Sequence, residues 1–271
     1  MNIAMHTSTP EFADLLWRDA PLRLEYQWVG VRQSAYPVVV FLHEGLGSLA
    51  MWKDFPEKLC SQNGLTGLVF SRYGYGQSTT RALAETWPIT FMHAQAYEVL
   101  PALFATLGIE RPWLFGHSDG GSIALLYAAR FADAVSGIIV AAPHIFVEDL
   151  TIASIADVRA TYVSTDLREK LGRYHADPDS AFWGWNDVWL NPAFRSWNIE
   201  AKLATITCPV LAIQGEEDEY GSLDQIYGIR RNVHQTKLLV LPHCGHSPHR
   251  DQPAAVMREV AQLIVGSACT L

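Results

Sequence analysis

The chain is poor in several things, and each shortage narrows the reading. It has only four cysteines in 271 residues, Cys60, Cys208, Cys244 and Cys269, widely spaced and without a CxxC pair. They read as buried thiols, and a disulfide framework is excluded. Positive charge is scarce: Lys and Arg number 20 against 28 Asp and Glu, for a formal net charge of −8. That balance argues against nucleic acid and anionic membrane surfaces as partners. No apolar run approaches the roughly 18 residues of a membrane span. The opening "MNIAMHTSTPEF" has neither a basic segment nor an apolar core, so no secretory signal is expected and the expected location is cytoplasmic. No internal repeat or low-complexity segment is visible.

What is present is an ordinary globular composition, 49% hydrophobic and 18% charged. Apolar runs of strand length recur: "VVVFL" (38–42), "GLVF" (67–70), "WLFG" (113–116), "VSGIIVAA" (135–142), "PVLAIQG" (209–215) and "KLLVLP" (237–242). Such near-continuous runs suit parallel strands covered on both faces. Helix-length patterns lie between them: "AMWKDFPEKLC", "FMHAQAYEVLPALFATLG", "GSIALLYAARFA" and "AAVMREVAQLIVG". The β-α alternation predicts a doubly wound, mostly parallel α/β sheet. "LRLEYQWVG" (22–30) is expected as an antiparallel edge strand.

From His144 to about Lys202 the rhythm breaks. This stretch is helical in pattern and aromatic, with Phe182, Trp183, Trp185, Trp189, Phe194 and Trp197; it holds four of the chain's nine tryptophans. It reads as a helical lid, 144–202, inserted into a core domain made of 1–143 and 203–271. As a group its aromatics suggest an apolar or aromatic pocket.

Gly116-His117-Ser118-Asp119-Gly120 fits G-x-S-x-G and lies between a strand pattern and a helix pattern. That context suits a nucleophile elbow: a turn so tight that its flanks must be glycine, with the serine hydroxyl raised at a helix N-terminus. His117 and Asp119 stand beside Ser118, but in such a turn their side chains diverge from it. The serine therefore needs a base and an orienting acid from elsewhere. In the chain order Ser, Asp, His, the base comes late, and His246 in "LPHCGHSPHRDQP" is the candidate. The acid follows the preceding strand, where "GEEDEYG" offers Glu216, Glu217, Asp218 and Glu219.

Five segments in this order resemble the α/β-hydrolase superfamily over nearly the whole chain: "FLHEGLGS", "SRYGYGQS", "GHSDGG", "PVLAIQGEEDEY" and "GHSPHRDQP". The resemblance implies Ser118 as nucleophile, His246 as base and Asp218 as the acid. It implies an oxyanion hole from the backbone N–H groups of Gly45 and Asp119. It implies no cofactor. Glu44 departs from the family's pattern by replacing the glycine after His43. A carboxylate pointing into the hole would oppose the developing charge, so Glu44 is expected to point away and hydrogen-bond within its own loop. Around this centre, His43, Glu44, Leu46, His117, Trp183, Trp185 and Trp189 are expected to line the substrate pocket.

Two decoys compete. His243, Cys244, His246 and His249 crowd together like metal ligands, but the loop lacks the spacing of a helical H-x-x-x-H pair, so no metal is expected. Gly45-Leu46-Gly47-Ser48-Leu49-Ala50 fits a dinucleotide fingerprint with Arg72 as a phosphate partner, yet His43 and Glu44 separate it from its strand. His93, on a helical face, is expected to pack, with the pocket border as its other place. The expected activity is hydrolysis of a carboxylic ester of a small, mainly apolar or aromatic molecule through an acyl-enzyme. C–C bond hydrolysis of a diketone-type ring-fission product, lactone or amide hydrolysis, and a slow-turnover ligand receptor on the same fold remain as alternatives. A homodimer stays open.

Overall fold

A computed structural model describes residues 9–31 and 37–268. Residues 1–8 of the opening segment read for a leader, and Cys269, lie outside the described residues. An eight-stranded sheet forms the centre: β1 (Glu11–Trp17), β2 (Ala20–Gly30), β3 (Val38–Leu42), β4 (Thr66–Phe70), β5 (Trp113–His117), β6 (Gly137–Ala141), β7 (Val210–Gly215) and β8 (Thr236–Leu241). Their order in space is β1-β2-β4-β3-β5-β6-β7-β8. The pairs β1–β2 and β2–β4 are antiparallel and the rest parallel. All six apolar runs are strands. The expected edge strand is antiparallel as predicted but lies second in the sheet, because β1 pairs outside it. That strand escaped notice because half its residues are exposed and its apolar signal is short.

The central strands are apolar throughout because both faces are covered. Val40 and Leu42 of β3 enter one buried cluster with the helix Asp119–Arg130. Val39 and Phe41 enter a second cluster with the helices Phe55–Asn63 and Pro253–Ala268. Successive side chains on a strand point to opposite faces, so one pentapeptide serves two cores.

Between β6 and β7 the chain forms the helices Asp149–Ser164, Leu167–Leu171 and Pro178–Trp189, then short turns to Leu203. This segment is hydrogen-bonded to the core: Arg81 N donates to Ser180 Oγ at 2.9 Å, and Ala176 N to the Gly76 carbonyl at 2.8 Å. The sheet order reverses between β3 and β5, both of which leave at their carboxyl ends toward the same crevice. Open α/β sheets bind ligands at such a switch point. Among the described residues no helix is long and apolar enough to cross a membrane. Cys60, Cys208 and Cys244 are buried free thiols.

Candidate active site

Ser118 follows β5 directly and has φ 52°, ψ −120°, a conformation that L-residues rarely adopt. The reversal that follows it brings backbone so close that side chains are barred. A Cβ on Gly116 would lie 2.2 Å from the Gly120 carbonyl oxygen, and one on Gly120 would lie 2.0 Å from that of Leu42. The two glycines are thus needed for close approach, and the strained serine is presented at the start of the helix Asp119–Arg130. Ser118 Oγ makes no hydrogen bond among the described residues and faces a cavity. Catalytic hydrogen bonds are commonly loose before substrate is bound.

The neighbours of Ser118 do turn away from it. Asp119 Oδ1 accepts from Trp189 Nε1 at 3.1 Å, and its other oxygen lies 3.9 Å from the Arg72 guanidinium. Burial raises the pKa of this carboxyl, against the opposing pull of Arg72. His117 Nε2 donates to the main-chain oxygen of His246 at 2.7 Å.

The partners of Ser118 come from two later loops. His246 Nδ1 lies 2.8 and 2.9 Å from the two Asp218 carboxylate oxygens. Tyr220 N (2.8 Å) and Gly221 N (3.2 Å) donate to Asp218 Oδ1, and Gln214 Nε2 (2.6 Å) to Oδ2. Burial by itself would raise the Asp218 pKa, but the hydrogen bond and charge of His246 outweigh it and hold the carboxyl below its ordinary range. An ionised Asp218 fixes the proton of His246 on Nδ1 and leaves Nε2 bare as a base. Glu216, Glu217 and Glu219 do not take this place: Glu217 meets the exposed His243, and Glu219 accepts from His246 N at 3.3 Å.

A cavity of about 120 Å³ joins these groups. It is lined by Ser118, His246, Gly45 and Asp119, and on its apolar side by Leu46, Trp185, Trp189, Ile155 and Val158. The backbone N–H groups of Gly45 and Asp119 are uncommitted among the described residues, as oxyanion donors must be. Gly45 has no room for a side chain, since a Cβ would meet Trp185 Nε1 at 2.1 Å.

Three expectations need correction. Trp183 does not line the cavity: it packs against Tyr162 and Phe182, with Arg159 over its ring. Trp185 and Trp189 are four residues apart and share a helix face, while position 183 turns elsewhere. His43 is buried beneath the loop and outside the lining; its Nδ1 donates to the Glu44 carbonyl at 2.7 Å and its Nε2 accepts from Arg72 N at 3.0 Å. Glu44 lines the cavity and bonds beyond its own loop, with Oε2 3.4 Å from His117 Nδ1 and Oε1 3.5 Å from Arg250. Burial works against its charge, but the His117 contact prevails and lowers its pKa well below the ordinary value. His93 packs as expected, on Tyr97 and Trp197 and away from the cavity lining.

The decoys disperse. His243 is exposed at Glu217, and His249 is buried against Trp52 and Phe55. Gly45–Ser48 leads into a four-residue 3-10 helix, Leu49–Trp52, and Arg72 is sealed inside, with its guanidinium on the Glu44 carbonyl at 2.8 Å. His144 and Tyr220 were missed, although both line the cavity. The available signal was position: His144 closely follows a parallel strand, and Tyr220 comes two residues after Asp218.

A model of the alpha/beta hydrolase family matches residues 39–259, a span that contains Gly45, Ser118, Asp218 and His246. The chain belongs to this family. Among curated relatives, the 2-succinyl-6-hydroxy-2,4-cyclohexadiene-1-carboxylate synthase of Enterobacter sp. (strain 638) is 26% identical over 250 residues, covering 86% of this chain and 93% of that protein. Among solved structures, a thermophilic esterase from Thermogutta terrifontis superposes with TM-score 0.73 at 18% identity, covering 95% of this chain and 99% of the esterase. The enol-lactonase from Burkholderia xenovorans LB400 gives 0.72 at 18%, covering 94% and 100%. At such identities the structural likeness speaks for the fold alone.

Proposed function

We propose that this alpha/beta hydrolase cleaves a carboxylic ester of a small, mainly apolar or aromatic molecule through an acyl-enzyme. The observation that carries the reading is the bidentate Asp218–His246 contact at 2.8 and 2.9 Å in the same cavity as the strained Ser118. With Nδ1 held by Asp218, His246 Nε2 takes the proton of Ser118 as Oγ attacks the ester carbonyl. The developing oxyanion is received by the N–H groups of Gly45 and Asp119 and by the positive end of the helix that starts at Asp119. The imidazolium then protonates the leaving alcohol, the tetrahedral intermediate collapses, and water attacks the acyl-serine by the reverse route. No step calls on a metal or cofactor.

The lining also speaks to the substrate. Among the described residues its charged side chains are Glu44 and Asp119, and no lysine or arginine lines it. The compound in the name of the Enterobacter relative carries a succinyl group and a carboxylate. Glu44 is already met by His117 and Arg250 and Asp119 by Arg72, so the lining offers such an anion no free cation, which favours a neutral ester here. In this reading the helices between β6 and β7 act as a lid, with Trp185 and Trp189 as the wall over the acyl group.

Release of p-nitrophenol from the acetate and butyrate esters tests the proposal. Turnover by the wild type, lost in Ser118→Ala, supports it. Equal slow release by both proteins overturns it.

A further inference from the structure

His144 has no part in the triad, yet it is held in the cavity wall with unusual care. The chain around it is fixed at three successive points. Ala142 N donates to the Ile213 carbonyl at 2.8 Å, and Ile145 N to Gln225 Oε1 at 2.7 Å. Between them His144 N donates to Ser122 Oγ at 3.1 Å, while that hydroxyl donates to the His144 carbonyl at 2.6 Å. The side chain is 2% exposed and packs edge-on against Trp189, with ring centroids 5.0 Å apart.

The two ring nitrogens differ. Nδ1 is sealed from solvent without a hydrogen-bond partner. Nε2 also has no partner but is not sealed, and His144 lines the cavity, so Nε2 is the polar atom that opens onto it. A proton on Nδ1 would bury an unmatched donor; a proton on Nε2 finds water or a ligand in the cavity. Charging the ring is opposed first by burial and then by His246, whose ring centroid is 5.9 Å away, and by His117; Asp218 pulls the other way. The His144 pKa is accordingly pushed down to about 3, so the imidazole is neutral at physiological pH.

We propose that His144 is a substrate-binding specificity residue, a neutral Nε2–H donor that selects acyl groups bearing a second, uncharged oxygen acceptor such as a ketone. The ring has Trp189 at 5.0 Å and His246 at 5.9 Å, and Ile155 and Val158 line the same cavity. An oxygen on the substrate would thus find a fixed donor in a largely buried wall, where a hydrogen bond discriminates well. This inference deepens the ester-hydrolase reading and rests on it for the word substrate.

The test compares p-nitrophenyl esters in matched pairs, acetoacetate against butyrate and 4-oxopentanoate against pentanoate. Wild type, His144→Gln and His144→Phe are used, and intrinsic ester reactivity cancels in the ratio between proteins. For at least one pair, the oxo-to-plain ratio of kcat/KM should fall about fivefold or more in His144→Phe, with His144→Gln in between. Ratios equal in all three proteins overturn the inference. Long-range ¹⁵N–¹H spectra of the wild type give a readout independent of turnover: His144 should be the neutral Nε2–H tautomer from pH 5 to 8. An Nδ1–H tautomer or an imidazolium there overturns it as well. If the wild type cuts no ester, binding of the same pairs to Ser118→Ala decides. Selective binding of the oxo member keeps the role of His144 while the ester reading falls; equal or absent binding removes both.

Discussion

The ring of His117, the residue before the nucleophile, donates through Nε2 to the main-chain oxygen of His246 at 2.7 Å, while its Nδ1 faces Glu44 Oε2 at 3.4 Å. The elbow thereby holds the loop that carries the base. It also gives Glu44 a partner, so that a carboxylate can stand beside the oxyanion hole without the full force of its charge reaching the substrate. A displacement of about 1 Å in a catalytic group can cost on the order of 100-fold in rate. His117→Phe, which keeps the ring and removes both nitrogens, should lower kcat on p-nitrophenyl butyrate by about 10- to 100-fold. Hydrogen exchange in residues 243–250 should quicken. Unchanged rate and unchanged exchange would show that this contact positions nothing.

In the proposed mechanism Ser118, His246 and Asp218 act as a unit. Ser118→Ala, His246→Ala and Asp218→Asn should each lower kcat by roughly 10³-fold or more, and Ser118→Ala/His246→Ala should be hardly worse than either single change. Circular dichroism should match the wild type. Additive losses in the double variant would mean that the two side chains work independently.

Gly45 and Trp185 are packed so closely that a Cβ on Gly45 meets the indole at 2.1 Å. Gly45→Ala keeps the backbone N–H but must push Trp185 out of the wall. Activity should fall by about 100-fold, with a shift in tryptophan emission. Trp185→Leu in the same chain should restore part of the loss. If Gly45→Ala keeps full activity, the loop yields where this packing says it cannot.

His249 is buried against Trp52, Phe55 and His117, and neither ring nitrogen has a partner. Burial above all, then the nearby His117, lowers its pKa well below 6.5. Below that pH the unfolded chain takes up a proton that the folded chain refuses, so the wild type loses stability as pH falls through the ordinary imidazole range. His249→Phe should raise Tm, by removing two unmatched polar atoms worth about 1–3 kcal/mol each when buried. Its advantage should widen from pH 8 to pH 5. A gain that stays constant over this range would mean that the proton linkage is absent.

How far the sequence reached can be read from single residues. All six apolar runs are strands, because a strand covered on both faces needs apolar residues at every position, and that leaves a signal without any alignment. Strand β1 left none, because one of its faces is wet and its pairing with β2 is a property of the sheet. Ser118, Asp218 and His246 were legible through local spacing and loop order, and for Asp218 through the family resemblance. His43 was misplaced because a residue beside the oxyanion loop can point up to the ligand or down to Arg72, and nothing local decides which. Trp183 was misplaced although its helical phase relative to Trp185 and Trp189 is set by the residue spacing alone.

By itself, then, the sequence determined the alternating α/β architecture, the elbow, and Ser118 and His246 as candidate nucleophile and base. Each depends on a short-range requirement: continuous burial, a turn that tolerates only glycine, a loop at a strand's end. Tertiary structure alone decided what surrounds them. It brought His144 and Tyr220 to the cavity, turned Glu44 toward His117 and Arg250, and set Trp189 on Asp119. These contacts join segments tens to about two hundred residues apart, and side-chain direction there is chosen by packing among elements that the chain's local pattern does not describe.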